Sequence, residues 1–313
     1  MSTQAAPAGL HVRVCLPHFV NEAGDRRYGS GQPQAREARS LALGRCLGAL
    51  LDLQRSPEDC LLQIGSRTIQ RLHGHLSHGT ATDLPPLNLE ITVCTDGRHQ
   101  LDAVLDAFAG EITVRQLSVE DPRHLALACR NLLLGRRDSA PQLPVDLVGP
   151  AAAQAEPGLD DPDLYLYLED DLVIRDPLYL DKQAWFLRAA ADAWVLMPQR
   201  YERLHRQGLG VLLVDGALKQ PALHPQTPEL PAQLARCRLP WGEELALEIP
   251  ANPHAGSFCL SRNQVRRLRA LPLPDEGFVG PLETAATLTV LQHFPVLKPV
   301  PQRWRGLAVE HAH

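Results

Sequence analysis

Apolar and polar positions switch between two periods along this chain. LHVRVCLPHFV (10–20) is a β-like run that gives way to a loop rich in Gly, Arg and Asn. Over residues 35–54 the spacing turns helical, with Leu43, Cys46, Leu47, Leu50 and Leu51 on one face. LEITVCTDG (89–97) reads as a strand stopped by Asp-Gly, and HQLDAVLDAF (99–108) as a helix. EITVRQLSV (111–119) is again strand, and PRHLALACRNLLLG (122–135) is a helix closed by Gly135. Strand and helix in alternation predict βαβ units and an α/β fold, with a Rossmann-type, mostly parallel central sheet flanked by helices. Residues 138–163 are rich in Pro, Ala, Gly and Asp and read as a loop insertion. LYLYLEDDLVI (164–174) supplies a fourth strand. After it come helical DKQAWFLRAA, strand-like AWVLMPQRYE and a proline-punctuated stretch over 217–250. NPHAGSFCLS (252–261) holds a short strand, and NQVRRLRAL and GPLETAATLTVLQHF read as helices. No internal repeat or clean linker divides the chain, so a single domain over 1–313 is expected, its second half less regular than its first.

LYLYLEDDLVI contains a conflict. One unbroken buried strand would place Glu169, Asp170 and Asp171 in a low-dielectric interior, where even one unpaired charge costs several kcal/mol. The strand is therefore expected to end near Leu168, with the acids at its C-terminal edge and LVI re-entering as a second short strand. In open α/β sheets ligands bind at that edge. Adjacent carboxylates there suit a hard divalent cation, Mg²⁺ or Mn²⁺. The bland alternative is a solvated acidic turn.

Composition narrows the classes. With 313 residues, 44% apolar and 21% charged, the chain has the make-up of an ordinary globular protein, and its net charge of −5 argues against a general nucleic-acid binder. Seven cysteines, odd in number and without a CxxC pair, read as buried core residues of a reducing compartment, Cys15, Cys94 and Cys259 above all. No stretch has the length of a transmembrane segment and the N-terminus has no signal-peptide pattern, so a cytoplasmic protein is the default. The lack of P-loop, GxGxxG and GxSxG motifs argues against ATPases, dinucleotide oxidoreductases and α/β-hydrolases.

At Glu169-Asp170-Asp171 the chain resembles the GT-A glycosyltransferases, whose DXD motif ends a central strand and precedes another short one; this stretch matches an EDD variant. The resemblance implies a sugar moved from a nucleotide-diphosphate sugar to a hydroxyl acceptor, which is a glycan, a lipid-linked glycan or a small molecule. It divides the chain into a nucleotide-binding half (10–180) and an acceptor-binding half (181–313). Asp171 would be the main ligand of Mn²⁺ or Mg²⁺, supported by Asp170 or Glu169, with the first acid facing the ribose or the metal's waters. The same likeness implies that Asp96 orients the nucleoside, that Arg26 and Arg27 in the first βα loop meet phosphate charge, and that Gly256 allows close approach to the donor sugar. A late histidine would complete the metal shell. Alternation in VEHAH turns His311 and His313 the same way, with His311 favoured. Glu283, opening a helix, would serve as the base if the enzyme inverts. Arg123, His124 and Arg130 read either as diphosphate contacts or as solvated helix positions. The rival readings are a metal-dependent phosphoester hydrolase or nucleotidyltransferase, and a catalytically silent nucleotide- or glycan-binding protein.

Overall fold

The computed structural model describes residues 9–20, 35–72, 84–136, 161–204, 210–218 and 228–312. Arg26, Arg27, most of the insertion at 138–163 and His313 lie outside the described residues. The first half runs β1 (Leu10–Pro17), α1 (Ala35–Leu51), a hairpin of β2 (Cys60–Gln63) and β3 (Thr68–Arg71), β4 (Leu87–Thr95), α2 (Asp102–Ala107), β5 (Thr113–Gln116) and α3 (Leu125–Leu133). Next come β6 (Leu164–Leu168), β7 (Leu172–Val173), α4 (Tyr179–Ala189), β8 (Val195–Leu196), β9 (Gln199–Arg203) and β10 (Val211–Leu213). They are followed by α5 (Ala232–Ala235), β11 (Arg236–Arg238), β12 (Glu244–Glu248), β13 (Ser257–Ser261) and α6 (Arg262–Arg269). The last part is α7 (Pro281–Glu283), a π-helical turn (Thr284–Leu288), α8 (Thr289–Leu291), β14 (Val296–Pro299) and β15 (Ala308–His311).

The fold is mixed α/β, as the periodicity predicts. The central sheet has the order β13-β6-β1-β4-β5; β1, β4, β5 and β6 are parallel, and β13 closes one edge antiparallel to β6. Period-2 alternation in LYLYL divides two cores. Leu164, Leu166 and Leu168 pack with α1 residues Leu43, Cys46, Leu47 and Leu50, whereas Tyr165 and Tyr167 pack with Cys129 of α3, Val265 of α6 and Ala285 of the π turn. Tyr167 stacks on Phe258 at 5.3 Å between ring centroids. Cys15, Cys94 and Cys259 are buried as expected, and all seven cysteines are free, Cys60 being the exposed one. No helix among the described residues is long and apolar enough to cross a membrane.

Register decides where the chemistry sits. Pro17 lies opposite Cys94, and Cys15 opposite Tyr167, so β1, β4 and β6 end together at one edge. His18, Asp96 and Glu169 follow those ends. Because β13 runs the other way, with Ser257 opposite Leu168, Gly256 joins the same edge.

The second half builds two smaller sheets, β10-β9-β15-β7 and β11-β12-β14-β8. Lys298 of β14 is 1% exposed and donates to Asp215 Oδ2 at 2.9 Å and to the His254 carbonyl, while Arg200 of β9 donates to Asp215 Oδ1 at 2.7 Å. Removing one partner of such a buried set leaves its carboxylate undercompensated. Lys298→Met should therefore lower the unfolding free energy by about 2 kcal/mol or more, read from the urea midpoint; an unchanged midpoint would show that Arg200 alone neutralises Asp215.

Candidate active site

Leu168 ends β6, where the burial argument places the end, and the chain turns at once. The turn is closed by Leu172 N–H donating to the Glu169 carbonyl at 3.1 Å. Asp170 and Asp171 occupy its two central positions, a place that suits aspartate, and LV re-enters as β7.

The three carboxylates face different neighbours. Asp170 turns inward. Its Oδ2 lies 2.6 Å from His18 Nδ1, and its Oδ1 accepts from Arg39 of α1 at 2.5 Å. Leu101 N–H donates to His18 Nε2 at 3.1 Å, which makes Nε2 the acceptor and leaves Nδ1–H to donate to Asp170. Both Asp170 oxygens are thus engaged by the protein. In this way Asp170 joins the ends of β1 and β6 to α1.

Asp171 also takes Arg39, at 2.7 Å from Oδ2, and faces His311 Nε2 at 3.7 Å. Its Oδ1 is buried without a hydrogen-bond partner among the described residues. Burial pushes this carboxyl up, but His311 and Arg39 outweigh it and hold it well below the usual carboxylate range. His311 Nδ1 pairs with Glu202 Oε1 at 3.0 Å. Burial pulls the imidazole down, yet Asp171 and Glu202 raise it overall. The arrangement is carboxylate, histidine, carboxylate, and β15 delivers it, with His311 beside Leu172 and Ala312 N–H donating to the Asp171 carbonyl at 2.8 Å.

Glu169 is the third case. Gly256, at φ +61°, places its carbonyl 3.0 Å from Glu169 N, and a Cβ there would sit 2.6 Å from Glu169 Oε2. Gly256 is thus a close-approach position, but the group approached is Glu169. Oε1 of Glu169 is buried and unpartnered among the described residues, and Arg200 Nη1 is 4.0 Å from Oε2. Burial, with the Asp171 charge adding to it, pushes this carboxyl up to about 8; Glu283 is near enough that its charge acts the same way. Glu169 is therefore neutral at pH 7 while Asp171 two residues on is ionised. Glu283 sits half-buried at the foot of α7, just before the π turn.

Other expected positions part from the site. Asp96 Oδ1 accepts from Arg98 N (2.9 Å) and His99 N (2.8 Å), and Oδ2 pairs with His99 Nδ1 at 2.6 Å. It caps its own Asp-Gly turn. Arg123 pairs with Asp121 on the surface. Arg130 is neither solvated nor turned to this edge: it is 1% exposed and pins Pro274 and Asp275. His18, Arg39 and Arg200 were missed as site residues. Their signal is charge and polarity at strand or helix positions, which means little until tertiary partners are known: Asp170, 152 residues from His18 and 131 from Arg39, and Asp215, 15 residues from Arg200.

The residues present fit a divalent cation in one way only. Asp171 and His311 face each other, an orphaned carboxylate oxygen lies between the surrounding groups, and Glu202 backs the imidazole as second-layer carboxylates back metal-binding histidines. No three His, Cys, Asp or Glu side chains among the described residues converge as a ready ligand set. A cation there would take most of its oxygens from substrate and water, as Mg²⁺ does.

No protein-family model matches the chain, and no curated protein matches it. Among solved structures the chain is similar to S. aureus TarS 1–349, with 12% identity and a TM-score of 0.43 over 97% of this chain and 60% of that one. The chain thus spans about three fifths of that structure's length.

Two outcomes follow from Glu169. Its folded value near 8 lies above the ordinary 4.5, so between them the folded chain keeps a proton that the unfolded chain has lost. Stability should fall as pH rises through that window, by up to about 1.4 kcal/mol per pH unit, and Glu169→Gln should remove that slope in urea titrations from pH 5 to 9. Parallel slopes for the two proteins would place the Glu169 proton elsewhere. Gly256→Ala, with its positive φ and the blocked Cβ position, should cost about 1–3 kcal/mol in the same measurement.

Proposed function

We propose that the chain transfers a sugar from a nucleotide-diphosphate donor to a hydroxyl acceptor, with Mn²⁺ or Mg²⁺ held by Asp171 and His311. The observation that carries this reading is the half-buried, ionised Asp171 carboxylate, whose Oδ1 is buried without a partner among the described residues, facing His311 at the C-terminal edge of the parallel sheet. The EDD resemblance supplies the sugar. A bound cation would act as a Lewis acid on the departing diphosphate.

The chain's own groups divide the rest of the work. Glu202 holds His311 so that Nε2 faces Asp171. Arg39 and Arg200 keep the edge cationic enough to receive a diphosphate beside three carboxylates. Glu169, protonated at pH 7, donates a hydrogen bond to a donor hydroxyl instead of repelling the diphosphate. In an inverting transfer Glu283 takes the acceptor hydroxyl's proton while that oxygen bonds to the sugar's anomeric carbon and the bond to the diphosphate breaks. In a retaining transfer Glu283 has no such step.

Thermal shift against UDP-, GDP-, ADP-, CMP- and TDP-sugars, with and without Mn²⁺, tests the reading. One donor class should raise the melting temperature in a Mn²⁺-dependent way, by mass action. Asp171→Asn and His311→Ala should each weaken that binding by about tenfold or more. If no donor gives a Mn²⁺-dependent shift, the reading fails; phosphate release without any acceptor would favour the hydrolase.

A further inference from the structure

The reverse face of the β10-β9-β15-β7 sheet carries charge that the site does not use. Glu310 lies opposite both Val173 and Tyr201 in the register. Period 2 then puts Tyr201, Arg203 and Glu310 on one face, and Arg200, Glu202 and His311 on the other. On the first face Glu310, 3% exposed, accepts from Arg175 Nε at 3.1 Å, from Arg203 Nε at 3.2 Å and from Arg45 of α1. Trp304 packs against Tyr201 at 4.7 Å, and the Arg305 guanidinium lies over the indole at 4.6 Å. Three guanidiniums therefore gather around one carboxylate, with a fourth, Arg305, held over the Trp304 ring beside Tyr201, in a chain whose net charge is −5.

That ratio exceeds what anchoring the strand needs. One carboxylate is matched by a single bidentate arginine. Here Glu310 draws three guanidiniums close together, so that they are held in place with positive charge left over. Arg175 and Arg203, 47% and 54% exposed, both spend Nε on Glu310, and the terminal nitrogens of neither have another carboxylate partner among the described residues. Fixed, exposed guanidinium edges are what oxyanions bind.

We propose that Arg45, Arg175 and Arg203, organised by Glu310, together with Arg305 on Trp304, form a docking surface for an anionic glycan, one bearing carboxylate or phosphate groups, separate from the Asp171–His311 edge. Nucleic acid fits less well: Tyr201 is buried and Trp304 half-buried beneath Arg305, so no row of open rings is offered to successive bases. The proposal rests on the transfer reading only in making this glycan the acceptor; the binding does not depend on it.

Binding of oligogalacturonate and of phosphorylated dextran to the full chain, followed by titration calorimetry at two salt concentrations, decides the matter. At least one should bind, less tightly at higher salt, and Arg175→Ser/Arg203→Ser should weaken it about tenfold or more. Arg305→Ser, which leaves Glu310 its three partners, should weaken it by less. Both variants should keep the wild-type thermal response to nucleotide-sugars, so that a failure here is separable from a failure of the transfer reading. Carboxylate and phosphate arms that differ identify the charged group. Equal affinity for unmodified dextran, wild-type affinity in the double variant, or tighter binding to polyuridylate or to anionic lipid vesicles would overturn the proposal.

Discussion

The pairing of Asp170 with His18 and Arg39 is the constraint on which the rest of this edge depends. Asp170 is 5% exposed and His18 fully buried, so neither tolerates an unmet polar atom. The backbone N–H of Leu101 fixes the imidazole tautomer, the imidazole fixes one carboxylate oxygen, and Arg39 fixes the other. Four segments meet there: the end of β1, the turn after β6, the start of α2 and the body of α1. Because Asp170 is committed inward, its two neighbours are left to face outward groups. The middle carboxylate of the triplet is spent on tertiary contacts, whereas Glu169 Oε1 and Asp171 Oδ1 are left without a partner among the described residues.

Those two acids then separate by environment. They are two residues apart, Glu169 buried and Asp171 half-buried, yet the first is held protonated and the second ionised. Asp171 has Arg39 in hydrogen-bond contact and His311 beside it, whereas Arg200, the cation nearest Glu169, stands at 4.0 Å and is itself engaged by Asp215. Like charge does the rest: ionised Asp171 makes a second ionisation at Glu169 costly. An edge that looks heavily acidic in sequence is thus partly neutralised, since Glu169 holds a proton and Arg39 pairs with both Asp170 and Asp171.

Much of the first half was legible because its elements bury apolar residues. The apolar runs LYLYL and LEITVCT, buried on both sides over most of their length, and the helical stripe over Leu43, Cys46, Leu47 and Leu50, which buries one face, each point to a core, and burial cost alone located the end of β6 at Leu168. The hairpin β2–β3 was not read at all: all eight of its strand residues are exposed, so no face imposes a period on CLLQ or TIQR. The strands of the second half run two to five residues, too short for periodicity to appear. The site divides in the same way. Glu169, Asp171 and His311 stand out by residue type at a strand end. His18, Arg39 and Arg200 act through partners set by tertiary packing, and at Asp96 a ligand-binding acid and a turn-capping acid have the same sequence, so sequence alone does not separate the two roles.

The last described strand joins the two charged faces. β15 lies between β9 and β7, and its successive residues serve opposite sides: His311 meets Asp171 and Glu202, while Glu310 gathers Arg45, Arg175 and Arg203. α1 spans both, since Arg39 binds the carboxylate turn and Arg45 binds Glu310. Ala42, between those arginines, and Ala49, a turn beyond Arg45, pack on Val173 and Ala312, small residues that let the helix approach the sheet closely. One strand and one helix thus contribute to both charge sets through different residues: His311 and Arg39 at the carboxylate turn, Glu310 and Arg45 on the reverse face.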